Sequence, residues 1–270
     1  MSRPRIVALC YHAVSDDWPA QMAVTPARFE EQLRSLRDRG YQGATFTEAV
    51  LSPPHRRTLA VTFDDGFRSV LEQAFPVLDR LGLPATLFVP TDLVGSGRPM
   101  SWPGLGDWLA GAHAAELLPL DWDELRGLAS AGWEIASHTR THPRLTTLGD
   151  EELREQLTAS RTRLEDELGT TCRSLAYPFG EADERVVAAA REAGYDAAGG
   201  LPTSFRHASA LTWPRTGIWR DDGSLTFRIK VAGPVLALQR TSAFRALDYP
   251  RRALKRLLRP HRTGRPWLDG

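Results

Sequence analysis

Six short apolar, β-prone runs, spaced along the chain with helical patterns between most of them, constrain the fold more than any other feature. Residues 6–10, 59–63, 85–89, 133–137, 174–177 and 211–213 read as strands. A helix opens at Thr25-Pro26, a cap followed by proline at the first helical position, runs through Phe29, Leu33 and Leu36, and stops at Gly40. Residues 67–81 read as a helix closed by Gly82 with Pro84 beyond, residues 121–131 as one ended by Gly132, and residues 183–193 as another. Residues 150–168 place Leu153, Leu157 and Leu164 on one helical face. Strands that recur with helices between them lie parallel with the helices packed outside, as an open doubly wound sheet or a barrel. In either, chemistry gathers at the carboxyl ends of the strands.

Several such ends carry reactive side chains. The run 59–63 delivers Asp64-Asp65-Gly66, where glycine is free to take a positive φ. Two adjacent carboxylates repel and call for a partner; a cation would take one and leave the other as a base. The plain alternative is a solvated turn. The run 133–137 delivers His138, with His142 four residues on, a spacing that on a helical turn puts both imidazoles on one face, suited to one metal ion. The alternative is a pair of surface histidines. Two neutral imidazoles and a carboxylate, with positions left for water, match a catalytic rather than a structural zinc site. His12 and Phe179-Gly180 stand at two further strand ends.

Thr62-Phe63-Asp64-Asp65-Gly66, His138-Thr139-Arg140-Thr141-His142 and Tyr177-Pro178-Phe179-Gly180 resemble the first three motifs of the polysaccharide deacetylases, the NodB-homology group or carbohydrate esterase family four. The resemblance covers about residues 5–220. It implies a distorted (β/α) barrel that hydrolyses N-acetyl groups on amino-sugar oligosaccharides or polysaccharides. It also implies a divalent metal, zinc foremost, held by Asp65, His138 and His142, with Asp64 as catalytic base and the Phe179 backbone N–H helping to hold the oxyanion. The sequence departs from the family pattern twice. Ala176 stands where the family carries an arginine that orients the base, and Arg215 is the candidate replacement. The late leucine-x-histidine motif that supplies the general acid is missing. However, Leu9-Cys10-Tyr11-His12 is similar to the opening of the branch that contains poly-N-acetylglucosamine deacetylases, where an N-terminal histidine does that job. His12 is therefore the candidate acid, against a core histidine as the alternative and His207 as the rival. Two other functions stay open: an O-acetyl carbohydrate esterase, and an inactive glycan-binding module.

With 42% hydrophobic and 25% charged residues, the composition is that of a globular protein. The net charge of +1 hides an asymmetry: residues 228–270 carry +9 and residues 1–227 carry −8. The expected division is a catalytic domain over 1–227 and a basic, helical C-terminal extension over 228–270. The extension is a candidate for peripheral contact with anionic membrane, against a solvated appendage packed on the barrel. No nucleic-acid partner is expected. A signal sequence and a bilayer-spanning run are both absent from the given sequence, so the expected location is cytoplasmic. Cys10 and Cys172 read as buried free thiols. Tyr11, Trp102, Trp108, Trp122 and Trp213 are candidate sugar-stacking rings, Trp102 foremost; Trp102 and Trp108 lie in the long irregular stretch 91–120. Glu134 and Asp183 read as solvent-facing or capping residues.

Overall fold

The structure, a computed structural model, describes residues 5–244 of the chain. Chain order runs β1 (Arg5–Tyr11), β2 (Ala13–Val14), β3 (Ala23–Val24), α1 (Pro26–Asp38), β4 (Gln42–Gly43), α2 (Phe46–Leu51), β5 (Arg57–Phe63), α3 (Phe75–Leu81) and β6 (Ala85–Val89). It continues through α4 (Trp122–Ser130), β7 (Glu134–Ser137), α5 (Asp150–Leu168), β8 (Ser174–Ala176), α6 (Glu184–Glu192), β9 (Ala197–Gly200), β10 (Trp213–Pro214), β11 (Thr216–Gly217), α7 (Ser224–Lys230) and α8 (Gly233–Gln239).

The main sheet is parallel throughout, in the order β10-β9-β8-β7-β6-β5-β1-β11, with β4 attached to β5. Its two ends belong to one extended stretch. Trp213 and Pro214 pair with β9, whereas Thr216 and Gly217 pair with β1, and only Arg215 lies between. The Arg215 N–H donates to Gly200 O (2.9 Å) and the Ile218 N–H to Cys10 O (2.9 Å). One strand that changes neighbours midway thus brings the sheet round into a nearly closed barrel, the distorted (β/α) barrel of NodB-homology type.

Side chains alternate across each strand, so a strand buried on both faces reads as continuously apolar. On β1, Val7 and Leu9 join the layer shared with Phe29, Leu33 and Leu36 of α1 and with Leu153, Leu157 and Leu164 of α5. Ile6 and Ala8 face the opposite way and pack with Ala60. Further round the sheet, Phe46 and Phe88 meet Ala136, Ala176 and Ala197. Burying one large apolar side chain contributes about 1.5–3 kcal/mol, and the strand–helix layer holds many.

The expected helix over 67–81 begins later. Phe67 bridges to Pro119, residues 70–74 form a widened π-helical turn, and α3 starts at Phe75. Pro76 has no N–H to donate and its ring crowds the carbonyl four residues back, which a wider turn relieves. The expected strand over 211–213 is a 3-10 turn at Ala210–Thr212, with only Trp213–Pro214 extended. Position 227 falls inside α7, and Val231 and Leu236 beyond it belong to the main core. Residues 245–270, with most of the basic extension and its membrane reading, lie outside the described residues. No described helix is long and apolar enough to cross a membrane.

Candidate metal and catalytic site

Backbone strain marks the site. Among the described residues, the non-glycine positions with positive φ are Asp65 (76°), Thr139 (69°), His142 (63°) and Phe179 (59°). The left-handed region costs such a residue roughly 1–2 kcal/mol, more for a β-branched one such as Thr139. All four follow the carboxyl ends of β5, β7 or β8. Strain gathered in one place is a pointer to function.

His138 and His142 do meet, but not on a helical turn as the spacing suggested. The segment after Ser137 is an irregular turn; the Thr139 N–H donates to Ser137 Oγ (3.1 Å) and the His142 N–H to Thr139 Oγ1 (3.1 Å). Pro143 excludes the helical conformation at His142, because proline crowds the residue before it. The outcome is the convergence expected, by a different backbone path.

His138 Nδ1 donates to Ala176 O (2.8 Å), which fixes the tautomer and leaves the Nε2 lone pair facing Asp65. Asp65 Oδ1 lies 3.5 Å from His138 Nε2 and 3.4 Å from His142 Nε2. Ligands bonded tetrahedrally to zinc at about 2.1 Å stand about 3.4 Å apart. Asp65 Oδ1 and His142 Nδ1 are buried and have no hydrogen-bond partner among the described residues. Two imidazoles and an orphaned carboxylate oxygen at this spacing fit a divalent cation.

Asp64 points into the same pocket and is held from the barrel seam. Arg215 Nη1 donates to its Oδ1 (2.6 Å) and Nη2 to its Oδ2 (2.8 Å), a bidentate fork between side chains 2% and 6% exposed. Arg215 Nη1 also donates to Thr62 Oγ1 (3.0 Å), and the guanidinium lies over the Phe88 ring (5.1 Å). The Cys10 thiol donates to Asp64 Oδ2 (3.4 Å). Burial pushes the Asp64 carboxyl up, but the Arg215 charge and hydrogen bonds, with the charges of His138 and His12, together outweigh it and hold the group well below the usual carboxylate range. Burial also depresses His138, yet the charges of Asp64 and Asp65 prevail and raise it. At His142 burial wins and takes the imidazole down to about 3.

His12 is half-buried and stacks on Trp219 (5.5 Å, 23° between planes). One of its ring nitrogens, Cys10 Sγ and an Asp64 oxygen lie within 4.8 Å of one another. Burial lowers its pKa against the pull of both aspartates. His207 is exposed and does not line the pocket. The Phe179 ring meets His142 edge-on (4.8 Å), with the Arg144 guanidinium over it (4.2 Å). Gly180, also at positive φ, has no room for a side chain: a Cβ would lie 2.4 Å from Leu201 Cγ.

Of the candidate stacking rings, Trp102 alone lines the pocket. Tyr11 is fully buried and donates to Gln32 Oε1 (2.8 Å), so it offers no platform. Trp108 packs on Trp18, Trp122 lies under Arg163, and Trp213 under Arg240. Asp183 caps α6, accepting from the Val186 N–H (2.8 Å). Glu134 is no solvent-facing residue: it accepts from the Thr47 N–H (3.0 Å), Thr86 Oγ1 (2.8 Å), Ser174 Oγ (2.6 Å) and Thr47 Oγ1, and so ties β6, β7 and β8 to α2. Sequence reasoning missed Trp219 and Leu201, which also line the pocket. An aromatic residue two positions beyond the last strand was the available signal for Trp219.

A nearly closed parallel barrel whose strand ends gather two histidines and two aspartates in one buried pocket defines the class of a deacetylase-type barrel. Residues 52–198 match the family model for polysaccharide deacetylase, and the chain belongs to that family. It is 26% identical to YxkH of Bacillus subtilis over 196 residues, which cover 71% of this chain and 62% of that protein. It is 25% identical to the poly-β-1,6-N-acetyl-D-glucosamine N-deacetylase of Escherichia coli K12 over 240 residues, 76% of this chain and 35% of that protein. The chain thus spans only between about a third and three fifths of these relatives' lengths. Among solved structures it is similar in fold to BC0361, a polysaccharide deacetylase from Bacillus cereus (TM-score 0.67, 24% identity, 84% of this chain and 69% of that one).

Proposed function

We propose that this protein is a metal-dependent hydrolase that removes N-acetyl groups from an amino-sugar oligosaccharide or polysaccharide. The observation that carries the reading is the orphaned Asp65 oxygen 3.4–3.5 Å from two imidazole nitrogens, beside an ionised Asp64 held by Arg215. Asp65, His138 and His142 would hold a divalent ion, zinc foremost; the same set accepts cobalt or nickel. When bound, that ion supplies Lewis acidity toward water and the acetyl carbonyl.

The chain's own residues do the rest. Asp64 accepts the proton of the attacking water, and Arg215 keeps its carboxylate charged and aimed. The Phe179 backbone N–H is assigned to the developing oxyanion, on a turn held at positive φ (59°). His12 is assigned as donor to the departing amine. It rests neutral, so the proton it gives arrives during the cycle, and an Asp64 oxygen within 4.8 Å is near enough to pass it through one bridging water. The family and the name of the E. coli relative support an N-acetylglucosamine polymer as substrate class.

Acetate release measured on β-1,6-linked N-acetylglucosamine oligomers, chitin oligomers and acetylated xylan, with and without chelator, tests the reading. Release from the amino-sugar substrates, lost with chelator and restored by zinc, is the expected result. Release from xylan alone would favour an esterase, and glycan binding without release from any substrate would favour a binding module.

A further inference from the structure

The two histidines are oriented by different means. His138 is fixed by its Nδ1 hydrogen bond to Ala176 O, whereas His142 Nδ1 has no hydrogen-bond partner among the described residues. A histidine that ligates a metal nearly always gives its second ring nitrogen to a hydrogen-bond acceptor, which sets ring orientation. His142 lies instead between rings: Trp102 stacks on it at 4.1 Å and 24°, and Phe179 meets it edge-on at 4.8 Å. The Phe179 separation falls within the range of favourable aromatic pairs, about 4.5–7 Å, and the Trp102 stack is closer still. Trp102 is itself 8% exposed and its indole N–H has no hydrogen-bond partner among the described residues, where packing holds it in a cluster with Trp18, Met22, Phe67, Met100 and Leu105.

That cluster also reaches the Asp65 turn. The Leu120 N–H donates to Gly66 O (3.0 Å), the Arg68 N–H donates to Leu118 O (3.0 Å), and Phe67 pairs with Pro119. The stretch 100–120 therefore touches the site twice, by backbone at the Asp65 turn and by one indole at His142.

We propose that Trp102 is a positioning residue for His142, replacing by ring stacking the hydrogen bond that orients His138, so that the 100–120 stretch sets metal affinity. The inference rests on the metal reading above. Affinity for Co2+, from competition with a chromogenic chelator, and the visible spectrum of the cobalt-loaded protein test it in the full chain. The comparison is among the unaltered protein, Trp102→Leu, Trp102→Phe, Leu36→Ala and His142→Ala. Loss of an orienting partner typically weakens a metal site about 10–100-fold. Trp102→Leu is expected to lose about tenfold in affinity and to change the cobalt spectrum, while Trp102→Phe, which keeps a ring, restores both. Leu36 on α1 lies in the strand–helix core, outside the Trp102 cluster, so its truncation is expected to lower the unfolding temperature and leave affinity unchanged. Unaltered affinity and spectrum in Trp102→Leu would overturn the proposal, as would an equal loss in Leu36→Ala. If the unaltered protein takes up no cobalt, or His142→Ala binds as well as it does, the ligand assignment itself fails and the proposal falls with it.

Discussion

Replacing Arg215 with methionine tests the physics of the site without touching a proposed metal ligand. Asp64 and Arg215 are each nearly inaccessible, and the fork between them is the main compensation for burying the carboxylate. Removing one partner of a buried pair costs about 3–5 kcal/mol, because the other charge is stranded. For a chain of this size each kcal/mol moves the midpoint by about 2–4 °C, so a fall of about 6–20 °C is expected. The loss should depend on pH with a definite sign. In the unaltered protein the folded Asp64 pKa is depressed, so the contribution is complete above the ordinary carboxylate value of about 4 and is lost as pH falls through the folded value. Without Arg215, burial, the largest single influence on Asp64, is opposed only by the nearby imidazoles; the folded pKa is then raised, and the variant loses stability as pH rises through the range between. The gap between the two proteins should therefore widen from pH 3 to pH 8. Urea unfolding in chelator at several pH values measures it. Adding Asp64→Leu should recover most of the loss, since neither charge then remains. A gap below about 1 kcal/mol and flat in pH would refute the reasoning, for that is how a solvated pair behaves.

Three further expectations follow from the same coordinates. Zinc at a hundred times its dissociation constant should stabilise the fold by about 2.7 kcal/mol, and chelator or His138→Ala should abolish the shift in a thermal scan; an unchanged midpoint would contradict the ligand set. Neither thiol should react with a disulfide reagent at pH 8 before denaturation, since Cys10 and Cys172 are buried and burial pushes Cys172 up to about 12; both should react in guanidinium. Gly180→Ala should cost at least twice what Gly82→Ala does in urea unfolding. Both hold positive φ, worth about 1–2 kcal/mol for alanine, but a Cβ at Gly82 meets nothing within 4 Å whereas one at Gly180 meets Leu201 at 2.4 Å. Equal losses would mean that Leu201 yields freely.

What could be read in the sequence was local. Continuous apolar runs and glycine stops gave the strands and helices, and therefore the rim where Asp64, Asp65 and His138 fall. The path between His138 and His142 was not legible from spacing, although Pro143 was a signal against a helix there. Arg215 could be picked out only by asking what replaces the arginine missing at Ala176, because its position depends on the strand that closes the barrel. A physical trace of it was nevertheless present. Residues 197–200 are two alanines and two glycines, a poor strand by propensity and absent from the expected strands. Glycine within a strand often marks the close approach of another group. A Cβ at Gly199 would lie 2.7 Å from Arg215 Cδ and 3.0 Å from the Phe46 ring, and one at Gly200 would lie 2.7 Å from the Phe205 ring. The arginine that holds Asp64 packs where a side chain at Gly199 would stand. Gly199 thus belongs to the site as firmly as the charged residues do, and a search confined to reactive side chains passes over it.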